Sequence, residues 1–246
     1  MALDTAAAYT ETRGRLVDLV RSCTDEELAR AVPACPLWSV ADVIRHLTGV
    51  AEDFVAGTMQ IDLNPVETWH TAAGAASGDA FTAGHITRRA EATLEDTIKD
   101  WGTATERLLP VLRGEAPPPQ AFPFIELAPV SDLAVHAQDV RGALVRPGDR
   151  ESAGVGIALA SYAGGLGLRL SARGMPALRI RYGERERVVG GDAPAATWSG
   201  DRFEVFRALA GRRSRRQIEA MGWDGDPAPY LPLIPAYGER ADDLIE

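Results

Sequence analysis

The stretch WSVADVIRHLTGV, residues 38–50, decides the fold of the first half of this chain. Ser39 stands where a helix N-cap belongs, and Asp42 falls in the first turn, where the helix dipole favours negative charge. Val40, Val43, Ile44, Leu47, Val50, Ala51 and Phe54 then recur at the 3.6-residue period. They predict a helix to about residue 57 with this stripe in a core. His46 projects about 95° from the centre of the stripe, at about 100° per residue, so it borders the core without belonging to it.

A second stretch, SDLAVHAQDV at 131–140, places Asp132 and His136 four positions apart, on one face of a helix and about one turn from each other. Both sit at the margin of the stripe Val130, Leu133, Ala137, Val140 and Leu144. Two helices packed along such stripes bring their margins together over a shared cleft. His46, Asp132 and His136 are therefore candidate ligands of one divalent metal. Two imidazoles and a carboxylate suit zinc first, nickel or another first-row ion second. Three protein ligands leave positions open, as a catalytic site requires. The plainer reading is a packed histidine and a helix-surface hydrogen bond, and spacing alone does not choose. Asp139 could orient a ligand from behind, but its helical angle points it further from the stripe, so a solvent-facing partner of an arginine is expected.

Residues about 4–22 read as a helix, and Thr24 to Glu27 as a capping box opening a short one, ended by Pro33 and Pro36. Residues about 59–86 have no steady period and predict a long loop with at most short helical turns, of the kind that walls or covers a site. Helix returns at about 87–113, APPPQAFPF (116–124) breaks it, and Pro129 opens a helix at about 129–145. Four main helices make a bundle, an architecture that builds metal sites from facing helices. After Arg146 to Asp149 the pattern changes. An Ala/Gly-rich helical link (152–170) leads to a hairpin of LRIRYG (178–183) and RVVG (187–190) around a turn at 184–186. ATWSG (196–200) reads as a third strand, Asp201 starts a helix carrying Phe203, Phe206 and Leu209, and an irregular Pro-rich tail follows from 226. The expected class is α+β: a four-helix bundle over 1–149, then a smaller α/β domain over 150–246.

A net charge of −9 and a pI near 5.0 argue against general affinity for nucleic acid or anionic membrane. No apolar run reaches the roughly 18–20 residues needed to span a bilayer. MALDTAAAYTETRGR lacks the order of a signal peptide, so cytoplasm is the expectation. Cys23 and Cys35 read as reduced structural thiols. HExxH, GxSxG and phosphate-loop motifs are missing. A metal here could acidify a bound water, polarise a carbonyl, or bind a thiol as thiolate. Arg212, Arg213, Arg215 and Arg216 could clamp carboxylates or phosphates, although a solvated helix end is the plainer reading of that cluster.

WSVADVIRHLTGV, DLAVHAQDVRGAL and TWSGDRFEVFRALAGRRSRRQIEAMGW, in that order, resemble the mycothiol-dependent maleylpyruvate isomerase family. The resemblance covers most of the chain and implies a DinB-like metal-binding four-helix bundle followed by the family's C-terminal domain. Its metal ligands, a His on the second long helix and an acidic-x-x-x-His pair on the fourth, fall on His46, Asp132 and His136. The isomerase has Glu where this chain has Asp132, a shorter arm that still ligates but shifts the metal or its preference. The basic residues through which that C-terminal domain helps bind the thiol correspond to Arg212 and Arg213. The resemblance thus implies a cytoplasmic metal-dependent enzyme, a monomer or weak homodimer. It would use mycothiol for thiol transfer to, or isomerisation of, a small electrophile, with neither nucleic acid nor membrane as partner. Two alternatives stand beside it: a hydrolase using metal-bound hydroxide, and a small-molecule-binding protein without catalysis.

Overall fold

Local capping chemistry sets most helix starts. In α1 (Thr5–Arg21) the Asp4 carboxylate accepts the Ala7 N–H at 2.8 Å. α2 (Asp25–Leu28) opens with the Thr24/Glu27 capping box. α3 (Val40–Ala56) opens with a reciprocal box: the Asp42 N–H donates to Ser39 Oγ and the Ser39 N–H to Asp42 Oδ2 at 3.0 Å. It stops at Gly57, whose φ of +68° is the left-handed conformation that glycine tolerates. Thr93 caps α5 (Leu94–Leu112), and Pro129 lies in the first turn of α6 (Ala128–Leu144). The structure, a computed structural model, describes residues 4–59, 72–120 and 126–246, with 72–77 as backbone only.

α3 packs on α5 and α6, and α1 packs on the same two helices. Their stripes form one core that includes Leu16, Ile44, Leu47, Trp101, Leu108, Leu133 and Val140. The Trp101 indole N–H donates to the Tyr9 hydroxyl at 2.9 Å, so the largest core ring leaves no polar atom unmet.

Three features of this unit depart from the sequence reading. Part of the expected loop at 59–86 is α4 (Ala72–Thr87); the remainder, residues 60–71, lies outside the described residues. Small alanines and glycines run all round α4, so a helix forms there without an apolar stripe to announce it. α5 starts at Leu94 rather than 87, because Thr93 supplies the cap. Pro33, read as a helix stop, instead sits in the turn of a ribbon, β1 (Ala31–Val32) antiparallel to β2 (Cys35–Ser39). β2 runs directly into the cap of α3.

Contacts divide the chain into two units. The first takes in the helices above and continues to Ala158 within α7 (Ala153–Ala172); the second includes Leu159–Ile245. The second unit holds, among the described residues, a four-stranded sheet of order β4-β3-β5-β6. β3 (Ala177–Tyr182) and β4 (Arg185–Val189) form the expected hairpin, with its turn one residue earlier than read. β5 (Pro194–Gly200) joins β3 in parallel, and β6 (Gly222–Asp224), unforeseen, closes on β5. α8 (Arg202–Leu209) starts at Asp201 as expected, and α9 (Arg215–Glu219) follows a Ser214/Gln217 capping box. The tail is not loose: Tyr230, Leu231 and Ile234 are buried, and Arg169 of α7 donates to the Leu233 and Ile234 carbonyls. Against the expectation that no apolar run reaches spanning length, α7 is long and apolar enough to cross a membrane by length and mean hydropathy. More than half of it is buried inside the protein, as in a core helix.

Candidate metal centre

The contact between α3 and α6 brings His46 together with Asp132 and His136. His46 Nε2 lies 3.6 Å from Asp132 Oδ2, and His136 Nε2 lies 3.6 Å from Asp132 Oδ1. The two imidazole rings meet edge to face at 4.9 Å. Ligands bound at about 2.0–2.2 Å to a tetrahedral ion sit roughly 3.4 Å apart. One donor atom from each of the three side chains lies within 4.8 Å of the others, a spacing that can close on a small divalent ion, and their chemistry suits a borderline metal. The two histidine side chains are nearly buried, at 4% and 8% exposed, whereas Asp132 is 26% exposed. The trio thus meets solvent on the Asp132 side.

His46 is more deeply buried than its helical angle suggests, because elements that carry no stripe cover the margin of α3. Trp38, at the end of β2, lies 4.8 Å from the His46 ring and 5.6 Å from the His136 ring. His85 of α4 lies on another side, with its Nδ1 3.2 Å from His46 Nδ1. Neither Trp38 nor His85 was marked as functional by sequence. The only signals were that His85 is one of four histidines and that Trp38 immediately precedes a helix cap.

Asp139 corrects a sequence expectation. It is 1% exposed rather than solvent-facing, and its Oδ2 lies 3.0 Å from His136 Nδ1. The Cys35 thiol, from β2, donates to the same oxygen at 3.7 Å. A helical angle locates a residue relative to its own helix's stripe; it could not show that the β1–β2 ribbon would cover this side of α6. His136 thus faces a carboxylate at each ring nitrogen, and Cys35, His136 and Asp139 form a second close group of ligand-type atoms around it. Burial opposes a charge on His136, but Asp132, Asp139 and Cys35 outweigh it and push its pKa up to about 10. His85 moves the other way, down to about 4, because burial and the neighbouring His46 outweigh the pull of Asp53. The pocket around His136 attracts positive charge, which a proton or a divalent ion can supply.

Arg212 and Arg213 belong to the second unit and are both buried, not a solvated helix end. Arg213 grips Glu204 of α8 through Nε at 2.6 Å and a terminal nitrogen at 2.9 Å, and donates to the Arg212 carbonyl. Arg212 donates to the Ala210 carbonyl and lies over the Tyr237 ring. Arg215 and Arg216 are the solvated members, paired with Glu219, Glu239 and Asp243.

A helical bundle that gathers two imidazoles and a carboxylate between facing helices, followed by a smaller sheet unit, defines a two-part class of architecture with a group of metal-ligand-type side chains in its helical part. More specifically, the chain belongs to the family described as mycothiol maleylpyruvate isomerase N-terminal domain, whose model matches residues 9–141. Two solved structures share the fold: a mycothiol-dependent maleylpyruvate isomerase, at 13% identity, and a histidine-to-alanine mutant of an enzyme so named, at 12%. Each has a TM-score of 0.54, with 86% of this chain and 90% of the other covered. No curated protein matches the chain.

Proposed function

We propose that this chain is a metal-dependent enzyme that works with a low-molecular-weight thiol, mycothiol, on a small electrophile, by thiol transfer or thiol-assisted isomerisation. The convergence of His46, Asp132 and His136 within the family's bundle carries the reading. When bound there, a divalent ion, zinc first, would take the thiol sulfur as thiolate and raise its concentration at neutral pH. His46 and His136 hold the ligand geometry from the buried side, and Asp132 completes it at the rim. Asp139 orients His136 from behind, as carboxylates behind metal-bound histidines do. Trp38 covers both imidazoles with apolar surface and keeps water from that side.

Arg212 and Arg213 enter this proposal as the residues that hold the corner between α8 and α9. They are also the residues proposed to meet the thiol's polar groups, as the family resemblance implies, with Glu204 fixing the Arg213 guanidinium in place. The net charge of −9 fits a cytoplasmic enzyme, a monomer or weak homodimer, with neither nucleic acid nor membrane as partner.

Thiol dependence is the test. Turnover of the electrophile should require added mycothiol, thiol binding should release a proton seen by calorimetry in buffers of different ionisation enthalpy, and the cobalt-loaded protein should gain a sulfur-to-metal charge-transfer band. Full turnover of esters or amides in thiol-free buffer, with no such band on adding mycothiol, would make the protein a hydrolase instead.

A further inference from the structure

His85 is fully buried, and each of its ring nitrogens has a partner at hydrogen-bond distance. Nε2 lies 3.0 Å from Asp53 Oδ2, and Nδ1 lies 3.2 Å from His46 Nδ1. A carboxylate oxygen accepts, so the proton between His85 and Asp53 belongs to His85 Nε2. A neutral imidazole protonated at Nε2 carries its lone pair on Nδ1. That lone pair faces His46 Nδ1, and two nitrogens 3.2 Å apart share a single proton, which His46 must then supply. A neutral His46 protonated at Nδ1 carries its own lone pair on Nε2, the atom 3.6 Å from Asp132 Oδ2. A doubly protonated His85 would reverse the pattern, but full burial opposes that charge, and Arg88 already pairs with the same Asp53 oxygen at 3.2 Å.

The backbone makes room for this contact. A Cβ at Gly49, three residues beyond His46 on α3, would stand 2.3 Å from His85 Cδ2. Only glycine lets the imidazole reach so close to the helix.

We propose that Asp53 and His85 are positioning residues that set the tautomer of His46, placing its proton on Nδ1 and leaving Nε2 as the nitrogen turned toward Asp132. The functional meaning rests on His46 being a metal ligand; the tautomer itself is a property of the metal-free protein. Asp139 Oδ2 lies 3.0 Å from His136 Nδ1, and the other ring nitrogen of His136, Nε2, faces Asp132.

The experiment combines two-bond proton–nitrogen correlation spectra of the metal-free protein with zinc affinity by chelator competition. It uses the wild type, His46→Ala, His85→Phe and His85→Asn. The wild type should show His46 protonated at Nδ1. His85→Phe keeps a ring but no acceptor; it should move His46 toward the Nε2-protonated tautomer and weaken zinc binding about 10–100-fold, the usual effect of losing such a partner. His85→Asn offers a carbonyl oxygen close to the lost Nδ1 and should restore the tautomer and most of the affinity. A wild-type His46 protonated at Nε2 overturns the proposal, and so do equal losses in both variants with the His46 tautomer unchanged. Should the Phe variant fail to fold, the wild-type spectrum and the Asn variant still decide. If the Nδ1-protonated tautomer is present but His46→Ala keeps its zinc, the relay stands and the metal-ligand reading falls.

Discussion

His136 occupies the position on which the site turns, with Asp132 at one ring nitrogen and Asp139 at the other. Replacing it with Ala should abolish stoichiometric zinc by elemental analysis. Far-ultraviolet circular dichroism should stay nearly unchanged, because α6 is held by its apolar stripe and not by this ring. His85 makes a prediction about pH. Its folded pKa of about 4 lies below the ordinary 6.5, so between these values the unfolded chain binds a proton that the folded chain refuses. The stability associated with a neutral His85 is therefore fully present above about pH 6.5 and is lost as pH falls toward 4, by a few kcal/mol at most at 1.36 kcal/mol per unit. Urea unfolding of wild type and His85→Phe across that range should show a steeper acid loss in the wild type. Parallel curves would mean that His85 is not held neutral. The placement of single residues was legible unevenly. His46, Asp132 and His136 stood out because their spacing and helical angle are properties of the chain itself. Asp139 was misjudged because its burial comes from another element, the ribbon, although its partner His136 lies on its own helix; His85 was passed over because its partners lie on α3.

Among the elements, α3 bears most of the site, and two substitutions probe how it is held. Ser39→Ala removes half of the capping box and should cost about 1 kcal/mol, within the usual 0.5–2 for an N-cap, read as a shift of the urea midpoint. Since β2 ends at this cap, the emission of Trp38 should report the loosening. Gly49→Ala is the sharper case. In most helices this change is favourable by roughly 1 kcal/mol, but here the new Cβ collides with the His85 ring. It should instead destabilise the protein by about 1–3 kcal/mol, as overpacking does, and weaken zinc binding as well. A gain in stability with unchanged zinc affinity would show that α4 does not press on α3 there. The stripes of α1, α3, α5 and α6 were readable because amphipathic periodicity is written in the residues that bury. α4 and the β1–β2 ribbon were not: the first is helical without a stripe, and the second is a tertiary use of Pro33 and Pro36 that reads locally as a helix stop.

At the scale of the whole molecule, the chain pairs a helical unit that gathers the metal-type ligands with a sheet unit whose buried arginines are tied to its own carboxylate and carbonyls. Arg213→Ala should destabilise the protein by about 1–3 kcal/mol. That lies below the cost of breaking a fully buried pair, because Glu204 is 39% exposed and regains water. A double-mutant cycle with Glu204→Gln should show the two losses to be strongly non-additive. Additive losses would mean that Glu204 does not fix Arg213, and unchanged mycothiol binding in a stably folded Arg213→Ala protein would take Arg213 out of the thiol site. The central claim is the metal itself, and an anomalous-difference map at the zinc edge, from crystals of protein purified without chelator and saturated with zinc, tests it most directly. The account predicts one strong peak within about 2.0–2.2 Å of His46 Nε2, an Asp132 oxygen and His136 Nε2. No peak between α3 and α6, or a peak held by other donors, would contradict it.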